Sequence, residues 1–306
     1  MIQMIEQFHV QIPATSANVG SGFDALGIAL TLFNDIYFSV QPEYNNMKIV
    51  VEGLGKESIP TVFSENMVCQ AMQIVADTVG KSLPGGTLTL VNRIPPARGL
   101  GSSSAAIVGG IVLADALLKA KLSKSDMLII AAKMEGHPDN VAPALYGGLC
   151  ASVMNETYTI TNSLPIGNDL SFVVVSPDVE VSTHDARQVL PQVIDYSHAV
   201  FNVSRVSFLV TSILAKKYDH LALGLEDKLH VPYRIQLIPH GEAVLQAAMD
   251  AGAKGATISG SGSTLIAFVT DDGKRVLEAM VQSFEHNGLA SKGYVLNCCN
   301  KGAVIL

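Results

Sequence analysis

Between residues 66 and 79, apolar side chains recur at Met67, Val68, Ala71, Ile74, Val75 and Val79. This stripe of helical period predicts a helix, with Ser64 as its cap and Gly80 as its stop. Residues 123–135 predict another: Ser123 with Asp126 three positions on forms a capping box, Asp standing for the usual Glu or Gln. Gly136 and Pro138 supply stop signals, which puts Glu135 at a helix end and His137, Asp139 and Asn140 on the loop beyond. Residues 107–118 are apolar on nearly every side, the pattern of a buried helix. Alternating or β-rich runs at 8–12, 35–40, 47–51 and 87–91 predict strands.

After Gly147-Gly148 the pattern changes. Residues 151–168 are short, polar and turn-rich, and predict a crossing into a second half. There, 172–176, 256–258, 265–269 and 294–297 read as strands, and 196–218 and 241–251 as helices. Mixed elements in both halves mean α+β or α/β, and the pattern alone does not choose the topology. A chain of 306 residues predicts two domains, each able to bury a core, drawn here at 1–155 and 156–306.

Composition narrows the function. Hydrophobic residues at 48% with 15% charged describe a compact globular protein. A net charge of −7 without a long Lys/Arg run argues against a nucleic-acid surface, so any phosphate affinity must be local. The longest apolar run, 105–114, ends at Asp115, too short for a membrane span. The first ten residues lack a basic start and a sustained apolar stretch, so no signal peptide is expected. Cys69, Cys150, Cys298 and Cys299 show no Cys-x-x-Cys spacing, which points to reduced thiols and a cytoplasmic protein.

The most constraining stretch is Pro95-Pro96-Ala97-Arg98-Gly99-Leu100-Gly101-Ser102-Ser103-Ser104-Ala105, running straight into the buried helix. Backbone amides of such a turn, with the positive end of the helix behind it, form a site for phosphate. Gly99 and Gly101 let the main chain approach a ligand closely. Ser102–Ser104 can cap the helix, and one hydroxyl can reach a metal ion on the phosphates. No Gly-Lys-Ser/Thr follows the glycines, so this is not a Walker A loop.

That stretch resembles the second motif of the GHMP kinases, Pro-x-x-x-Gly-Leu-Gly-Ser-Ser-Ala, with Ser104 where alanine is usual. Residues 13–27, Pro-Ala-Thr-Ser-Ala-Asn-Val-Gly-Ser-Gly-Phe-Asp-Ala-Leu-Gly, resemble the first motif as the homoserine-phosphorylating branch of the family writes it. Glu135-Gly136-His137-Pro138-Asp139-Asn140 and Ser259-Gly260-Ser261-Gly262-Ser263-Thr264 are similar to further family blocks, in family order. The resemblance implies two α+β domains with ATP and substrate in the cleft between them.

It also implies roles. Residues 95–105 with Gly260, Ser261 and Gly262 would hold ATP, and Ser103 and Glu135 would hold Mg²⁺. Arg187 and Arg234 would clamp an α-carboxylate. Asn18 and Asp24 would face the ammonium and hydroxyl end, Asn140 the reacting hydroxyl, and Thr183 would assist. The implied reaction is ATP-dependent phosphorylation of L-homoserine to O-phospho-L-homoserine, on the route to threonine. Asp139 and His137 are candidate bases, ranked behind direct attack in which the γ-phosphate itself takes the proton. Another GHMP kinase, such as one acting on mevalonate, and a non-catalytic metabolite sensor remain as alternatives, and a homodimer stays open.

Overall fold

Two antiparallel-rich sheets carry the molecule, whose computed structural model describes residues 6–306 apart from 42 and 45. The first five residues, part of the segment read as lacking a signal peptide, lie outside the described residues. In the first sheet, β1 (Gln7–Ala17) pairs antiparallel with β2 (Leu26–Val40). With β3 (Met47–Gly53) parallel to β4 (Gly86–Asn92) and the terminal β11 (Val304–Ile305) at the other edge, the strand order is β11-β1-β2-β4-β3. The register of β1 against β2 shifts between Pro13 and Ala14, and the end of β2 beyond the shift also pairs with β5 (Leu149–Met154). Strand β1 runs on through Ala17, so it delivers the first motif directly into the interior.

Against this sheet lie α1 (Met67–Val79), α2 (Ser102–Leu118), α3 (Lys124–Glu135) and α4 (Pro138–Tyr146). Helix α2 contacts β1, α1, α3 and α4. A helix surrounded this way must be apolar all round, as the sequence predicts. The capping box of Ser123 and Asp126 is formed, and Gly80 and Gly136 end their helices in the left-handed conformation. The cap of α1 is a correction. Asn66, not Ser64, occupies it, its Oδ1 accepting from Val68 N and Cys69 N. An Asn directly before the first turn meets these N–H groups without the extra loop that Ser64 would need.

The expected crossing at 151–168 is a hairpin. Strand β6 (Thr159–Leu164) pairs with β5 in the first sheet, so a division at 155/156 falls inside that hairpin. The terminal strand β11 (Val304–Ile305) returns to β1. Between them, β7 (Ser171–Pro177), β8 (Gly255–Ile258), β9 (Leu265–Val269) and β10 (Ser291–Leu296) form the second sheet, order β10-β7-β9-β8. Along β7, Phe172 and Val174 join the main core, whereas Val173 and Val175 pack in a second cluster with residues of α9 (Gly241–Asp250) and α10 (Lys274–His286). Burial on both faces explains the unbroken apolar run there. The remaining helices, α5 (Thr183–Gln188), α6 (Tyr196–Leu214), α7 (Leu221–Leu225) and α8 (Val231–Arg234), lie in the long connection from β7 to β8 within the second sheet and bring Arg187 and Arg234 to the cleft. Among the described residues, no helix is long and apolar enough to cross a membrane.

Candidate active site

A cleft of about 300 Å³ opens where the first loop, the glycine-serine loop, the α3–α4 junction, α5 and the 259–262 turn meet. The glycine-serine loop is strapped from two sides. Thr15 N donates to Leu100 O at 3.1 Å, Thr264 N to Arg98 O at 3.1 Å, and Ser259 Oγ to Gly99 O at 2.7 Å. Gly99 and Gly101 have φ of 73° and 68°, and a Cβ on Gly99 would stand 2.2 Å from Ser259 O. Glycine is required there both for angle and for room.

Helix α2 starts at Gly101 with no side-chain cap, which corrects the expected serine caps. Ser103 Oγ and Ser104 Oγ donate instead to Glu135 Oε1, at 2.8 and 3.0 Å. The first-turn N–H groups of α2 thereby stay free of side-chain acceptors, at the positive end of the helix. Glu135 itself ends α3, whose C-terminus disfavours an anion, yet it faces the N-terminus of α2, which favours one. That second helix offsets the first, a relation invisible in sequence.

His137 lies in the short junction between α3 and α4, but Asp139 and Asn140 do not lie on a loop. Pro138 begins α4, with His137 as the residue before it, so Asp139 and Asn140 ride on its first turn. Pro138 was read as a stop, but proline fits the first position of a helix, where its missing N–H costs nothing. Asp139 is buried, and its Oδ1 lies 2.6 Å from His137 Nδ1. Burial alone would lower the His137 pKa, but the hydrogen bond and charge of Asp139, helped by Glu135, raise it above its ordinary value. Asn140 Oδ1 accepts from Thr15 Oγ1 at 2.7 Å, which orients its amide nitrogen as the remaining donor.

On the opposite wall, Arg187 donates twice to Asp24, at 2.9 and 3.1 Å. Arg234 is buried. Its Nε donates to Ala186 O at 3.0 Å and one terminal nitrogen to Gly260 O at 3.3 Å. Burial, then the neighbouring Arg187 charge, pull its pKa down. Thr183 lines the cleft at the first turn of α5, whose cap is Ser182. Asn18, with φ of 68°, accepts from Asp24 N and donates to Gly260 O, both at 2.9 Å. Its amide therefore ties the first loop to the 259–262 turn while lining the cleft.

Not every expected residue reaches the cleft. Ala97, Arg98, Gly99, Gly101, Ser102, Ser103, Gly260 and Ser261 line it; Pro95, Pro96, Leu100, Ser104, Ala105 and Gly262 do not. Leu100 is fully buried in the core, and Arg98 turns toward Asp178 and Glu180, at 3.2 and 3.3 Å. Pro96 and Ala105 instead line an adjoining pocket of about 260 Å³, walled by Ile36, Ile59, Val68 and Leu90 and sharing Ala97, Ser102 and Ser103 with the cleft. Sequence reasoning does not reach Asn34 and Asn92 in that pocket, nor Val181 and Ser182 as lining residues of the cleft. Thr15, which holds the Asn140 side chain from outside the lining, and Ser182, next to Thr183, are the ones with a sequence signal, the first through its place inside the first motif.

Oxygen donors from Ser103 and Glu135, side by side over a phosphate-type loop, suit a hard divalent cation that takes its other ligands from phosphate and water. Among the described residues there is no group of three or more His, Cys, Asp or Glu that could hold a metal alone.

Comparison with known proteins agrees with this architecture. Residues 66–148 match the family model for the GHMP kinases N terminal domain, and 213–286 the model for the GHMP kinases C terminal. The chain is 44% identical to homoserine kinase of Carboxydothermus hydrogenoformans, covering 97% of this chain and 96% of that one. Identity to homoserine kinase of Desulfitobacterium hafniense is 41%, with 97% and 99% covered. The crystal structure of homoserine kinase from Cytophaga hutchinsonii superposes with a TM-score of 0.91 at 31% identity, over 100% of this chain and 99% of that one. With both family domains matched and full-length relatives this similar, the chain belongs to the GHMP kinase family, among its homoserine kinases.

Proposed function

We propose that this protein transfers the γ-phosphoryl group of ATP to the side-chain hydroxyl of L-homoserine, giving O-phospho-L-homoserine and ADP. One observation carries the substrate choice: Arg187, Arg234 and Asp24 share a cleft with the phosphate-type loop. Guanidinium groups suit an α-carboxylate and Asp24 an α-ammonium, whereas mevalonate would bring no cation for Asp24. The apolar pocket beside the loop suits the nucleotide base, with the phosphates lying across residues 97–103. Asn140, through its free amide nitrogen, orients the attacking hydroxyl.

Mg²⁺ held by Ser103 and Glu135 would neutralise charge on the β- and γ-phosphates. The two candidate bases occupy each other: the Asp139 carboxylate holds the imidazole of His137, which is pushed toward its charged form. This pairing makes each a poorer acceptor for the hydroxyl proton, which supports its transfer to the phosphoryl group itself. Cys69, Cys150, Cys298 and Cys299 are all unpaired and buried, in keeping with a cytoplasmic setting.

The test is ADP release with L-homoserine against mevalonate and other alcohols. The expected result is turnover with L-homoserine alone. Equal or greater turnover with an alcohol lacking an ammonium group would remove the reading, and so would the absence of Mg²⁺-dependent ATP affinity.

A further inference from the structure

We propose that Phe23 is a positioning residue for the carboxylate end of the substrate, its ring serving as the platform on which the guanidinium groups of Arg187 and Arg234 are held together. The proposal rests on the L-homoserine reading above. The guanidinium carbon of Arg234 lies 5.0 Å from the ring centroid of Phe23 and that of Arg187 5.9 Å. Two like charges aimed at one carboxylate repel each other until it arrives. The Asp24 carboxylate accepts both of its hydrogen bonds from Arg187 and reaches Arg234 through its charge alone. The electron-rich face of one aromatic ring attracts both cations at once, an effect that corresponds to roughly 2- to 30-fold in an equilibrium constant.

The ring cannot drift, because what lies behind it is built as a rigid polar scaffold. His230 stacks on Phe23 at 5.0 Å with an interplanar angle of 19°. This histidine is completely buried, and its Nε2 lies 2.8 Å from Gly20 O, so that nitrogen is the donor. Burial pushes its pKa down, which favours the neutral ring. Asp227 accepts from the backbone N–H groups of Leu229, His230 and Val231, at 3.1, 2.7 and 2.7 Å. Asn202 of α6 donates to Asp227 at 2.6 Å and to Ser21 O at 3.3 Å, which ties the scaffold back to the loop carrying Phe23. Arg234 is anchored from its other side by Ala186 O and Gly260 O. None of these groups needs to touch the substrate, yet together they set where two of its ligands point.

Phe23→Leu keeps apolar bulk and removes the π face, whereas Phe23→Tyr keeps the face. Steady-state kinetics with L-homoserine, and with L-homoserine amide, which keeps the ammonium but lacks the carboxylate charge, read the difference. For Phe23→Leu we expect KM for L-homoserine to rise about tenfold, with kcat and KM for ATP within about twofold of wild type. The amide should show a change of less than about twofold, and Phe23→Tyr should behave as wild type. Thermal unfolding checks that the variants fold, and Phe23→Met takes over the comparison if the leucine variant does not. An equal penalty on L-homoserine and its amide, an equal loss in Phe23→Tyr, or an unchanged KM in Phe23→Leu overturns the proposal. Wild type that releases no ADP with L-homoserine would instead refute the functional reading, so the two failures are distinguishable.

Discussion

Ser103 Oγ donates to Glu135 Oε1 at 2.8 Å, and through this contact the end of α3 closes over the start of α2. Because Ser104 Oγ reaches the same oxygen at 3.0 Å, the second carboxylate oxygen is left for other ligands. Glu135→Gln retains an acceptor for both serines but loses the charge. The expected outcome is a fold within about 1 kcal/mol of wild type, since a charge at a helix terminus contributes roughly that much. Turnover should fall at least about 100-fold and the Mg²⁺ needed for half-maximal rate should rise. Urea unfolding and a Mg²⁺ titration of the rate check this, and an unchanged Mg²⁺ requirement would remove Glu135 from the metal site.

Two glycines with similar angles separate strain from collision. At Gly136, φ is 90° and a Cβ would meet nothing within 4 Å, so Gly136→Ala should cost only the left-handed penalty, about 1–2 kcal/mol. At Gly99, φ is 73° and the added Cβ would strike Ser259 O at 2.2 Å and Gly262 O at 2.8 Å. Gly99→Ala should therefore cost more than Gly136→Ala, by at least about 1 kcal/mol, and weaken ATP binding. Denaturant unfolding and calorimetric titration of ATP decide it; equal losses at the two positions would show that the loop can yield.

Arg187 and Asp24 form a two-point ion pair, but their side chains are 41% and 38% exposed. Such a pair adds about 1 kcal/mol or less to stability. Its geometry matters more for binding, because lysine cannot reproduce two parallel N–H donors. Arg187→Lys should leave the urea midpoint nearly unchanged and raise KM for L-homoserine about 10- to 100-fold. A large stability loss with an unaltered KM would make the pair structural.

Direct proton transfer to the phosphoryl group demands mild phenotypes at both candidate bases. Asp139→Asn and His137→Ala should each lower kcat by less than about tenfold, since a true general base contributes about 10²–10⁴. A loss in that larger range, with L-homoserine still bound, would restore a side-chain base.

The same dyad has a pH signature. The folded state raises the His137 pKa, so its stabilisation is fully present below pH about 6.5 and is lost as pH climbs through the folded value. The stability gap between wild type and His137→Gln, from urea unfolding, should be widest near pH about 6 and narrower at about 9. A gap that widens with pH would contradict the Asp139–His137 pairing.

The sequence by itself determined the main helices and the loops that bear the chemistry. Apolar periodicity marks α1, the capping box marks the start of α3, and the left-handed glycines mark their ends, because each signal is local. It also marked the phosphate-type loop, and the family resemblance singled out Arg187 and Arg234, which line the cleft. Tertiary structure alone decided how these parts meet. Residues 151–168 read as a crossing because β6 alternates the wrong way, with Ile160 exposed and Thr159 buried, so no apolar face signals it and only pairing with β5 makes it a strand. Ser103 and Ser104 looked like caps until Glu135, some thirty positions away, appeared as their acceptor. Likewise, Asn18 turned out to brace Gly260, and Asp139 to hold His137. A hydrogen bond depends on which groups lie within about 3 Å, and contacts between distant segments set that distance only once the core has packed.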